Sequence, residues 1–156
     1  MKGDEKVLEA LNMLLAEELT AINQYMVHSE MCADWGFGEL HEAIEKQAID
    51  EMKHAEQLIE RILFLEGIPI VSQLNKINIG KDVKAMIEFD LAAEIAAIKS
   101  YNESIKVCRG MGDEGSAKLL RSILEDEESH TDWNEAQLEQ IGQMGIENYL
   151  SIKIES

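Results

Sequence analysis

The chain repeats itself at an offset of 76 residues. Leu15, Glu18, Ile22 and Tyr25 recur as Leu91, Glu94, Ile98 and Tyr101, and Asp50-Glu51-x-x-His54 recurs as Asp126-Glu127-x-x-His130. Glu18 and Glu51 stand 33 residues apart, and so do Glu94 and Glu127. The first member of each pair lies in an apolar stripe: Leu11, Leu15, Glu18, Ile22, Tyr25 in one copy and Ile87, Leu91, Glu94, Ile98, Tyr101 in the other. Alternating steps of four and three mark the side of a helix that packs against its neighbours. Glu51 and His54, three apart, share one helix face. The sequence therefore reads as two related helix hairpins, each turning one lone Glu and one Glu-x-x-His inward.

Four long segments carry helical periodicity, at about residues 5–34, 38–66, 82–110 and 114–142. Trp35-Gly36-Phe37-Gly38, Gly67-Ile68-Pro69, Gly80-Lys81-Asp82 and Gly110-Met111-Gly112-Asp113 separate them, with Asp82 the expected N-cap of the third. Gly142 and Gly145 precede a tail whose Ile146, Tyr149, Leu150 and Ile152 fit one small helix. The first and last connections are short and join antiparallel neighbours. The middle one, from Gly67 to Lys81, is long for a compact domain. A helix of about 28 residues is about 42 Å long, and about 15 extended residues reach about 50 Å. The middle connection can thus run the length of the bundle and leave helices two and three parallel. The expected fold is all-α: a single domain over 1–156, built as a four-helix bundle with one long crossover and a short C-terminal fifth helix.

A formal net charge of −17 excludes a nucleic-acid partner, whose phosphates need a basic surface. No run approaches the length of a membrane span, and MKGDEKVLEA has no apolar stretch of signal-peptide length, so a cytoplasmic protein is expected. Cys32 and Cys108 form no Cys-x-x-Cys pattern and read as reduced, apolar fillers.

Four carboxylates and two imidazoles gathered in an apolar bundle are strongly unfavourable unless compensated. Two divalent cations balance the four carboxylates, and an oxygen-rich set with some imidazole suits iron or manganese better than a thiolate-loving zinc site. Glu18, Glu51, His54, Glu94, Glu127 and His130 are therefore the expected ligands of a two-metal centre. Tyr25 and Tyr101, two turns beyond Glu18 and Glu94, read as core residues or as hydrogen-bonding neighbours of the metals. His28 and His41 lie outside the motif and read as surface or packing residues. On its own Met52 reads as packing.

The sequence resembles the bacterioferritins along essentially its whole length. The resemblance is carried by MKGDEKV, EELTAINQYMVH, DEMKHAEQLIERILFLEGIP, NIGKDV, DEESHTDW and GIENYL. A lone Glu from each of two helices with Glu-x-x-His from each of the others is the ligand set of ferritin-like di-iron proteins. The second Glu-x-x-His favours the bacterioferritin branch over ferritins that carry one. The resemblance implies a ferroxidase that binds two non-haem irons per chain at those six residues, with Glu51 and Glu127 bridging and Tyr25 beside the centre. Fe(II) would be oxidised by dioxygen or peroxide and stored as ferric mineral in a hollow shell of about two dozen chains built from two-fold dimers. It also implies one haem per two chains, ligated by Met52 of each, and a ferredoxin as a candidate electron donor for iron release. Lys46 stands where some bacterioferritins carry a histidine that pairs with Asp50 to bind iron on the inner surface, a site this chain is therefore not expected to share. A di-iron oxidase or oxygenase that stores nothing, and a haem-bearing subunit that co-assembles with an active partner, are the competing readings. The second of these requires lost metal ligands, and all six residues are present.

Overall fold

A computed structural model describes residues 1–154, so residues 155–156 of the expected domain lie outside the described ones. The chain forms α1 (Glu5–Asp34), α2 (Gly38–Phe64), α3 (Val83–Gly110), α4 (Glu114–Met144) and a short α5 (Ile146–Ser151). The helices pack in the cycle α1–α2–α4–α3, so that α1/α3 and α2/α4 form opposite faces. Among the described residues no helix is long and apolar enough to cross a membrane.

The ends follow local chemistry. Asp4, Asp82 and Asp113 cap α1, α3 and α4 by accepting from the backbone N–H of Lys6, Ala85 and Ser116. Gly36 and Gly112, one offset apart, take positive φ, and the next residue's N–H closes onto the carbonyl of Cys32 or Cys108. Helix α2 departs from expectation. It stops at Phe64, and Glu66 rather than a glycine takes the left-handed turn at φ 63. Gly67 serves a different need, because a Cβ there would meet Leu8 Cδ2 at 2.5 Å. At the other end α4 runs through Gly142 to Met144.

The crossover is fastened along one stripe of α1. Asn12 Oδ1 accepts from the N–H of Ile70, Thr20 Oγ1 from Asn75, Gln24 Oε1 from Asn78 and His28 Nε2 from Gly80. The crossover therefore climbs parallel to α1 and delivers α3 antiparallel to it, with α2 and α3 parallel as expected. Tyr149 of α5 is fully buried and donates to Gln137 Oε1.

Two apolar clusters fill the bundle. One gathers Leu11, Leu14, Leu15, Leu58, Ile62, Ile105 and Leu120, and the other Cys32, Leu40, Ile44, Met86, Ile87 and Ile141. Between them lies a polar layer.

Candidate metal centre

Each long helix contributes to that layer at the point where its apolar stripe carries a charge. Glu18, Glu51, Glu94 and Glu127 are each 1% exposed, His54 is 2% and His130 is 6%. They form two groups whose ligand atoms lie within 4.8 Å of one another: Glu18, Glu51, His54 and Glu127, and Glu51, Glu94, Glu127 and His130. Glu51 and Glu127 belong to both groups. His54 Nδ1 lies 3.3 Å from Glu127 Oε1 and 3.5 Å from Glu18 Oε2, and His130 Nδ1 lies 3.0 Å from Glu51 Oε1 and 3.4 Å from Glu94 Oε1.

The hydrogen bonds around the layer leave its interior open. Tyr101 donates to Glu18 Oε1 and Tyr25 to Glu94 Oε1, each at 2.5 Å, so each tyrosine holds the other hairpin's glutamate. The imidazoles are crossed in the same way: His54 Nε2 bonds Asp126 at 2.8 Å and His130 Nε2 bonds Asp50 at 2.9 Å. An imidazole backed by a carboxylate on one nitrogen presents the other as a ligand. Glu18 Oε2, Glu51 Oε1, His54 Nδ1, Glu94 Oε2, Glu127 Oε1 and His130 Nδ1 are all buried without a hydrogen-bond partner. Each of the six residues thus aims one unsatisfied donor atom into the same space. Orphaned buried polar atoms are costly, and two cations fit this set.

Without cations, protons balance the charge. Burial pushes Glu51 and Glu94 well above the usual carboxylate range, reinforced by Glu18 and Glu127 around Glu51 and by Glu127 beside Glu94. Burial works against charge on His54, but the facing carboxylates of Glu127 and Glu18 outweigh it and lift the ring to about 11. His130 rises to about 9, because the facing Glu94 carboxylate likewise outweighs its burial. Burial and the facing carboxylates push both tyrosine hydroxyls up, so they keep their protons as donors.

On the α1/α3 face a cavity of about 260 Å³ reaches Glu18, Glu51 and Glu127 from the crossover residues Asn75, Lys76 and Asn78. Glu17 lies on its wall. Ser100 Oγ donates to Glu17 Oε1 at 2.6 Å, while Oε2 is buried and unpaired. Burial raises Glu17 to about 7, against the Ser100 bond and with help from Glu18, Glu127 and Glu103. Sequence reading passed over both residues. The Glu17-Glu18 doublet was the available signal, and nothing marked Ser100.

Other expected residues fall elsewhere. Met52 follows Glu51 but points outward, 46% exposed, on one face of α2 with the exposed Ile49. His28 is fully buried. Since its Nε2 accepts from Gly80, its Nδ1 carries the proton and donates to Asp90 Oδ1, which also accepts from Gln24. It is a packing residue with a defined task. His41 is half-buried and bonds the carbonyl of Ser29. Lys46 sits 3.7 Å from Asp50 on the α2/α4 face. Cys32 and Cys108 are free and buried, as small core residues.

The model of the ferritin-like domain matches residues 8–144. A bacterioferritin of Mycobacterium leprae is 44% identical over 149 residues, covering 96% of this chain and 94% of its own. A bacterioferritin of Brucella melitensis biotype 1 is 42% identical, with 96% and 92% covered. A bacterial ferritin of Paramagnetospirillum magnetotacticum is 45% identical over 152 residues, with 96% and 93% covered.

Proposed function

Because the chain belongs to the bacterioferritins of the ferritin family, we propose that it stores iron and oxidises Fe(II) at the centre formed by Glu18, Glu51, His54, Glu94, Glu127 and His130. The observation that carries this reading is the set of six buried, unpaired donor atoms in two groups that share Glu51 and Glu127.

Fe(II) is the substrate. Glu18 with His54 would hold one ion, Glu94 with His130 the other, and Glu51 and Glu127 would bridge them. Binding displaces the protons that balance the empty layer from His54, His130, Glu51 and Glu94. Each Fe(II) gives up one electron. Dioxygen takes both with two protons and leaves as hydrogen peroxide, or peroxide takes them with two protons and leaves as water. Tyr25 and Tyr101 keep Glu18 and Glu94 in place through the change in metal charge, and Asp50 and Asp126 fix the imidazole tautomers. Ferric product would then collect as mineral inside a shell of about two dozen chains assembled from two-fold dimers.

Haem fits the outward face of α2. Met52 offers a soft, exposed thioether with exposed Ile49 three residues before it, and the Met52 thioethers of two chains would hold a haem between them with apolar support from Ile49. When bound, the haem supplies a one-electron carrier for iron release, with a ferredoxin as its candidate donor. Substituting Met52→Leu is expected to remove the haem absorbance and leave Fe(II) oxidation in place.

The direct test is aerobic loading with a large excess of Fe(II), followed by size-exclusion chromatography with iron assayed in each fraction. Iron far beyond two per chain in a very large particle supports storage. Iron that stops near two per chain overturns storage and leaves a di-iron oxidase. Survival of rapid oxidation in both Glu18→Ala and Glu94→Ala would remove the assignment of the centre.

A further inference from the structure

Glu17 breaks the internal repeat at a cavity that reaches the metal centre. At the offset of 76 its counterpart is Ala93, and both residues line the α1/α3 cavity. The floor of this cavity is made by Glu18, Glu51 and Glu127, and its mouth by the exposed Asn75 and Lys76 of the crossover. Glu17 lines the same cavity and is only partly buried. Its Oε1 is tied to Ser100, and Ser100 is itself a departure from the repeat, since its counterpart is Gln24. Its Oε2 is shielded from water and unpaired, as are Glu18 Oε2 and Glu127 Oε1 of the same cavity lining.

A carboxylate held in one orientation, with one oxygen free, is a ligand for a hard divalent cation. The six-residue centre already satisfies two cations, so Glu17 adds a donor on the way in. We propose that Glu17 is a staging ligand, which takes an incoming Fe(II) within the cavity and passes it to Glu18. The inference rests on the di-iron reading above. Lys76 at the mouth opposes the approach of a cation by like-charge repulsion and sets its rate in the other direction. A purely structural role, a tie between α1 and α3, is served equally well by Gln at position 17, whose amide oxygen still accepts from Ser100.

The experiment compares the assembled wild-type protein with Glu17→Gln and Glu17→Ala, the latter copying Ala93. Anaerobic calorimetry with Co(II) is expected to show two tight ions per chain plus one weaker ion in the wild type, and the two tight ions alone in both variants. In stopped-flow oxidation, the Fe(II) concentration giving half the maximal rate is expected to rise about five-fold in the variants, with a smaller change in the maximal rate. Lys76→Gln is expected to lower that concentration. Unchanged Co(II) stoichiometry and an unchanged Fe(II) dependence in Glu17→Gln overturn the staging role. A wild type that fails to take two Co(II) per chain overturns the di-iron reading instead, so the two failures are distinguishable. Should Glu17→Ala assemble poorly, the isosteric Gln variant decides alone.

Discussion

The two hairpins supply the same chemistry to the centre but not the same surroundings. Glu18, Tyr25, Asp50, Glu51 and His54 match Glu94, Tyr101, Asp126, Glu127 and His130, and every tyrosine and aspartate bond crosses from one hairpin to the other. Outside the centre the halves diverge. Asn12, Thr20, Gln24 and His28, which fasten the crossover, correspond at the offset to Glu88, Ala96, Ser100 and Ser104 in the other half. Asp113 caps α4, whereas its counterpart Phe37 offers no side-chain cap, and the carbonyl of Lys153 in the tail accepts from Glu39 N–H instead. Met52 matches Glu128, and Glu17 matches Ala93. Matched residues serve the shared site. Unmatched ones serve what each half does alone, such as receiving the crossover or docking the tail.

The sharpest way to break the equivalence is to remove a shared ligand. Glu127→Ala takes a donor from both metal groups and is expected to lower the rapid Fe(II) oxidation rate by at least about 100-fold. Glu18→Ala and Glu94→Ala each disarm one group. Co(II) titration should show fewer than two tight ions in the first variant and one tight ion in each of the others.

The crossover fastening gives the next largest contrast. His28→Ala leaves the Gly80 N–H without its acceptor and the buried Asp90 with one donor fewer, at an expected cost of about 2–4 kcal/mol in the metal-free protein. The matched Ser104→Ala removes a buried hydroxyl that has no partner and should be neutral or slightly stabilising in thermal unfolding. This asymmetry was not legible in the sequence. Periodicity exposed the four helices, the topology and the inward carboxylates, because burial against neighbours imposes a pattern on residue type. It left His28 as mere packing, since the residue that needs it, Gly80, is 52 positions away and a single backbone N–H leaves no signature. The end of α2 falls within two residues of the expected boundary, but the residue that makes the turn was hidden for a related reason. Gly67 looked like the turn residue but is kept for its close approach to Leu8, while Glu66 carries the strained turn.

Protonation separates the halves more finely. His54 and His130 are raised above the ordinary histidine value, so the stability they lend the metal-free protein is complete below pH ~6.5 and is lost as pH rises through their folded values. Glu51 and Glu94, also raised, act in the same direction. The melting temperature of the metal-free protein should therefore fall between pH 6 and 9, and that of the Co(II)-loaded protein should not. Because His130 titrates at about 9 and His54 at about 11, ring proton signals should show His130 losing its proton first. Metal binding at neutral pH should release protons, measurable as a buffer-dependent calorimetric heat.

The caps differ by less. Asp113 accepts from Ser116 and from Arg61 of α2, and these bonds hold its carboxyl below the usual range despite its partial burial. Asp113→Ala is expected to cost about 1–2 kcal/mol in thermal unfolding, whereas no side-chain cap exists at Phe37 to be lost.

The smallest effect is the most exacting test of equivalence. Tyr25→Phe and Tyr101→Phe each remove one hydroxyl from one glutamate and leave the ring in the core. If the tyrosines only position Glu94 and Glu18, the two variants should slow oxidation by the same factor, about ten-fold or less, and weaken Co(II) binding alike. A rate loss confined to Tyr25→Phe, with Co(II) affinities equal, would mean that the hairpins differ in electron supply as well as in surroundings. The two hydroxyls make mirrored 2.5 Å bonds to matched carboxylates, so these bonds themselves provide no reason for such a difference, although Tyr25 lines the α1/α3 cavity and Tyr101 does not. Equal factors are the expected outcome.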